Sequence, residues 1–168
     1  MRRMASLLTL AALFALAPAG LAHAGPTREY LPIPTPLDLE GVCPDLTIHA
    51  DILVNREYGI TFSDTNGDPV RMLTAGTLKV RLTNLDNGTS IVRNISGPGE
   101  TIFHEDGSTT LTSRGTWFFF YSEGQLDSDP SAHSVILNGR TVTLTRADGT
   151  QKILAQTGTV EDVCAELG

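Results

Sequence analysis

The chain has 168 residues, 40% of them hydrophobic, and carries 12 basic residues against 19 acidic ones for a formal net charge of −7. That balance argues against nucleic acid or an anionic membrane surface as partner, since both are bound through clustered Lys and Arg. The length suits one domain able to bury a core of its own.

Residues 1–24 read as an export leader. Arg2 and Arg3 give a basic start, Leu7 to Leu21 a largely apolar run broken by Pro18 and Gly20, and Ala22-His23-Ala24 a small-x-small cleavage site. A membrane anchor is the weaker reading, because the run is short and ends in that pattern. Cleavage after Ala24 removes Arg2 and Arg3 and no acid, which leaves 10 basic residues against 19 acidic ones and a net charge of −9 over 144 residues. No later stretch approaches the roughly 20 apolar residues of a membrane span.

Residues 25–42, with Pro26, Pro32, Pro34 and Pro36, are expected as an extended, polyproline-like arm outside the core. Residues 43–168 form a single β domain. Its first strand, from Asp45, sets Leu46, Ile48, Ala50, Ile52 and Val54 on one side and Thr47, His49, Asp51 and Asn55 on the other. Tyr58 to Phe62 follows. Asp64-Thr-Asn-Gly-Asp68 then turns the chain toward Val70 to Leu73. Asp64, Asn66 and Asp68 match alternate positions of a calcium loop, but Pro69 stands where its glycine is required and no Glu closes it, so a polar turn is the reading.

Gly76 to Tyr121 reads as the central meander. Leu78, Val80 and Leu82 alternate inward, Asp86-Asn87-Gly88 and Asp106-Gly107 supply reversals, and Trp117-Phe-Phe-Phe-Tyr121 is the most hydrophobic segment after the leader. Ser122 to Ser131 is either a solvated hairpin loop or a rim over a pocket walled by Trp117 to Tyr121. Ser134 to Leu137, a turn at Asn138-Gly139, Thr141 to Thr145 with Val142 and Leu144 inward, and Gln151 to Ala155 add three strands. Thr159-Val-Glu-Asp162 outlines a capping box for a short helix whose inner side carries Val160, Val163, Cys164 and Leu167. About nine or ten short strands with Gly turns indicate an all-β fold, an antiparallel sandwich or barrel with a short C-terminal helix.

Cys43 and Cys164 are the two cysteines, and an even count without Cys-x-x-Cys spacing reads as one disulfide in an oxidising compartment. Closing that span stabilises the fold by about 4 to 5 kcal/mol in the chain-entropy account.

Gly139 to Gly149, followed by Gly158-Thr-Val-Glu-Asp-Val-Cys-Ala-Glu-Leu167, is similar to the ending of small secreted β-rich proteins of actinobacteria. Leu82-Thr-Asn84 with Gly88, and Asn94-Ile-Ser-Gly97, resemble their middle. The resemblance spans most of residues 43–168 and rests on turns, a cysteine and core positions. It implies a secreted β domain and brings no activity and no catalytic residues with it.

No catalytic, cofactor or metal set stands out. His49, His104 and His133 have no His-x-His or His-Glu-x-x-His spacing, and a zinc site would need them to converge, with Glu105 or Asp51. No Gly-x-Ser-x-Gly occurs, although a Ser-His-Asp set drawn from distant strands is recognised by geometry rather than by spacing. Glu100, Glu105, Asp106 and Glu123 offer no favoured carboxylate pair. Gly97-Pro98-Gly99 lacks the Lys of a phosphate loop, and the sequons at Asn87 and Asn94 read as turn and strand residues. The leading expectation is a secreted, non-enzymatic binding or envelope-associated protein. One alternative is a carrier of a small apolar ligand, with Trp117, Phe119 and Tyr121 lining a barrel lumen. The other is an extracellular hydrolase, which demands a histidine beside a serine or carboxylate in a cleft.

Overall fold

The computed structural model describes residues 25–34 and 37–168; the leader assigned to residues 1–24 lies outside them. Seven strands stand side by side in one sheet, in the order β1 (Thr27–Tyr30), β4 (Tyr58–Ser63), β5 (Pro69–Ala75), β8 (Gly99–Phe103), β9 (Thr109–Tyr121), β10 (His133–Thr145) and β11 (Gln151–Asp162). Four make a second sheet, in the order β2 (Leu37–Leu39), β3 (Ile48–Asn55), β6 (Leu78–Asn84) and β7 (Ser90–Asn94). Every pairing is antiparallel. The strands do not close into a barrel, so of the two architectures left open by the sequence this is the sandwich.

The core lies where the sheets face each other. Leu78, Val80 and Leu82 of β6 are buried with Ile48 and Ala50 of β3, as the alternation demands, and Ile136 of β10 meets them from the larger sheet. Each of these Leu, Val and Ile side chains, fully removed from water, is worth about 1.5 to 3 kcal/mol. The helix α1 (Val163–Leu167) seals one end by burying Val163 and Leu167, and the Cys43–Cys164 disulfide, with Cα atoms 5.7 Å apart, ties it to the chain entering β3.

Four expectations need correction. The arm does not lie outside the core: β1 pairs with β4, β2 pairs with β3, and Leu39 and Val42 are buried between the sheets. Apolar residues between the prolines outweigh the prolines' reluctance to pair. The meander of Gly76 to Tyr121 is split, because Ile95 to Pro98 carries the chain from β7 in one sheet to β8 in the other. Gly97 is required there, since a Cβ would meet the carbonyl oxygen of Arg114 at 2.2 Å. Asp162, not Thr159, caps α1, its carboxylate accepting from the amide of Ala165; Thr159 and the exposed Val160 belong to β11.

The fourth correction shapes the site. Asn138-Gly139 is no turn; β10 runs through it for thirteen residues. Gly139 stands opposite Gly115 of β9 and Gly158 of β11, so three glycines line up across three strands, all at positive φ. A Cβ at Gly139 would lie 2.0 Å from the carbonyl oxygen of Thr157, and one at Gly158 2.1 Å from that of Asn138. The missing side chains let the backbones approach and the strands crease. Flat strands of this length would hold their ends roughly 40 Å apart. Yet Gln125, four residues beyond β9, receives at its carbonyl a 2.7 Å hydrogen bond from the amide of Gln151, at the far end of β11, whose carbonyl in turn accepts from Asp127. The three strands therefore curl until the loop after β9 spans their two ends.

Candidate functional site

Strand alternation divides the aromatic run of β9 between two faces. Phe118 packs toward the inter-sheet core, whereas Phe119 and Tyr121 cluster with Leu126 and Leu137 inside the curl, flanked by Leu111, Trp117 and Ile153. The rings of Trp117, Phe119 and Tyr121 follow one another at centroid separations of 6.2 and 6.4 Å, the last two nearly parallel at 3°. Together they wall a recess of about 280 Å³. Thus the three residues singled out from the sequence as ligand-binding candidates stand together on one wall, but of a recess in an open, curled sheet and not of the barrel lumen expected, since the strands do not close.

Sequence reasoning missed the rest of the lining. Thr143 and Thr145 come from β10 and Gln151 from the start of β11. Gln125 belongs to the loop 122–132, the segment that the sequence left between a solvated loop and a rim. That loop buries Leu126 against the aromatic cluster and is clasped by Arg146, which donates to both carboxylate oxygens of Asp127 at 3.0 and 2.7 Å. Alternation of Thr141 to Thr145 put Val142 and Leu144 inward, but Thr141 and Thr143 are the buried pair. No sequence signal marks a threonine whose buried face is set by a crease four residues upstream.

The recess is uncharged. Its polar lining consists of amides and hydroxyls, with no Asp, Glu, Lys, Arg or His. Tyr121 is 1% exposed and Thr143 2%, and the hydroxyls of both are buried without a hydrogen-bond partner among the described residues. Burial pushes the Tyr121 phenol up to about 12, so it stays neutral. His133 packs against the Tyr121 ring at a 41° tilt, 4.9 Å between centroids, and its Nδ1 lies 2.8 Å from the carbonyl oxygen of Ser131.

Other titratable groups are dispersed. His49 lies on the outer face of the smaller sheet, its Nδ1 2.5 Å from Asp38 and its Nε2 3.5 Å from Asp51. His104 contacts Thr110 Oγ1 at 2.9 Å. His133 is 4.0 Å from Asp129. Among the described residues no serine hydroxyl joins any of them, and no group of three His, Cys, Asp or Glu is placed to hold a metal ion. Glu100 pairs with Arg71, Asp106 accepts from Ser108, and Asp64 accepts the amides of Asn66 and Asp68, the last as the polar turn requires. Both sequon asparagines use their side chains within the fold, Asn87 donating to the carbonyl of Leu167 and Asn94 accepting from Ser96.

No helix among the described residues is long and apolar enough to cross a membrane. Set beside protein-family models, curated proteins and solved structures, the chain matches none.

Proposed function

We propose that this is a secreted, non-catalytic binding protein that takes a small, uncharged, mainly apolar ligand into the recess of the curled sheet. The observation that carries the reading is the row of Trp117, Phe119 and Tyr121 rings walling a recess whose lining holds no charged side chain. The amides of Gln125 and Gln151 and the hydroxyl of Thr145 add polar groups to that lining, able to orient a ligand carbonyl or hydroxyl. A recess near 300 Å³, mainly apolar with a few convergent polar groups, fits the ordinary anatomy of a small-molecule site. The neutral lining favours a phenol, alcohol or lactone over an ion, because an ion would lose its hydration there with nothing to replace it. The leader, the disulfide and the resemblance to secreted actinobacterial proteins support an extracellular setting, whether free or at the cell envelope.

Native mass spectrometry of the protein purified from its own culture medium tests this directly. The expected result is a retained neutral adduct, lost on unfolding. Trp117 is the single tryptophan and borders both the recess and the space between the sheets, so its emission and the Thr143 methyl resonance, which belongs to the recess, should shift together on addition of neutral phenols or lactones. A protein isolated without adduct, whose Trp117 emission and Thr143 methyl resonance ignore that panel, would overturn the proposal.

A further inference from the structure

We infer that the space between the two sheets is a second binding site, for an apolar molecule bearing a primary amine, with Glu57 as its counter-charge. This inference does not rest on the reading of the recess. A cavity of about 190 Å³ lies between the sheets, walled by Ile33, Leu39, Ile52, Leu78 and Phe118, with Phe120, 43% exposed, offering a way in. Among its lining residues only Glu57 is charged.

Glu57 is 9% exposed; its carboxylate joins no ion pair or hydrogen bond among the described residues, and its oxygens keep a narrow contact with solvent. Its position is built rather than incidental. It sits in the two-residue link from β3 to β4, where the chain passes from one sheet to the other. Its amide donates to Asn55 Oδ1 at 2.9 Å, its carbonyl accepts from the amide of Leu31 at 3.1 Å, and Asn55 Nδ2 donates to the carbonyl of Leu31 at 2.9 Å. The neighbouring crossover fits around it, since a Cβ on Gly76 would stand 2.5 Å from the Glu57 Cα. Two of these hydrogen bonds fix the Glu57 backbone and the third ties Asn55 to the same segment, so the residue is held at the wall of an apolar chamber.

A charge in such surroundings is unfavourable unless paired, and burial pushes the Glu57 carboxyl above the usual range. An ammonium group supplies the missing partner, whereas a fatty acid or other anion would be repelled. An apolar cavity of about 150 Å³ takes up benzene. This one therefore has room for a benzene-sized body and a short aminoalkyl arm.

Benzylamine, titrated into the disulfide-bonded protein at pH 7, tests the site, with benzyl alcohol as the uncharged comparison. The Ala50 methyl lines only the inter-sheet cavity and the Thr143 methyl only the recess, so their resonances separate the two sites. Benzylamine should move Ala50 and leave Thr143 in place. Glu57→Gln should weaken benzylamine at least tenfold and change benzyl alcohol less than twofold. Equal benzylamine affinity in the two proteins, or no movement of Ala50, overturns the inference. Should the variant fold poorly, the unaltered protein answers by pH: benzylamine affinity falls as Glu57 is protonated while benzyl alcohol affinity holds, and a flat profile for both overturns it.

Discussion

Replacing Tyr121 with Phe should make the ligand-free protein more stable. The side chain is almost wholly buried and its hydroxyl has no partner, so the folded state carries a desolvation cost that the unfolded chain, hydrated, does not. That cost is about 1 to 3 kcal/mol. Deleting one oxygen opens a small void, which at about 24 cal/mol per Å³ returns only a few tenths of a kcal/mol. A net gain of about 1 to 2 kcal/mol remains, or a melting temperature higher by about 3 to 6 °C for a chain of this size. Thr143→Val, which exchanges the other orphan hydroxyl for a methyl, should act in the same direction. The assay is urea unfolding at pH 7 with the disulfide intact, followed by far-ultraviolet circular dichroism. A Tyr121→Phe protein less stable by 1 kcal/mol or more would mean that the phenol hydroxyl is satisfied in solution. The premise of a buried hydroxyl without a partner would then fall.

Replacing Cys43 and Cys164 together with Ser should cost about 5 kcal/mol, because the bridge closes a span of 121 residues. The midpoint of denaturant unfolding measures it, and a loss under 1 kcal/mol would refute the estimate. Gly139→Ala should cost about 2 to 4 kcal/mol, since its Cβ would collide with the Thr157 carbonyl across β11, whereas Gly88→Ala, with open space around it, should cost only about 1 kcal/mol of left-handed strain. Similar losses at both sites would remove the crease from the account. His49 has its pKa raised, first by its hydrogen bond to Asp38, with Asp51 adding to the effect and Arg81 facing Asp51 at 3.9 Å. The folded state binds this proton more tightly than the unfolded one. The stabilisation is thus fully present below the ordinary histidine value of 6.5 and disappears as pH rises through the elevated one. Asp38→Asn should flatten that part of the stability profile, and an unchanged profile would exclude the pair.

The elements that sequence made legible are those governed by local pattern. Alternation in β6 set Leu78, Val80 and Leu82 inward, the Asp106-Gly107 turn joins β8 to β9, and the two cysteines, without Cys-x-x-Cys spacing, found each other. The same alternation put Trp117, Phe119 and Tyr121 on one side of β9. What stayed hidden depends on contacts distant in sequence. Asn138-Gly139 has the composition of a hairpin turn, and nothing within β10 announces that Gly115 and Gly158 will flank it. Thr143 looks solvent-facing until the curl turns its face inward. Leu39 and Val42 sit among prolines, whose local preference for an open arm loses to the apolar contacts awaiting those two residues between the sheets.

The three aligned glycines also govern how the longest strands can be matched. In a uniform antiparallel sheet, sliding one strand by two residues keeps every side chain on its own face, so the hydrophobic pattern alone offers little resistance. Here such a slide would carry Leu137 or Thr141 into the place of Gly139, and a side chain there would have to share space with a backbone carbonyl 2.0 Å away. The row acts as a key cut to one lock: β9, β10 and β11 fit together at a single offset.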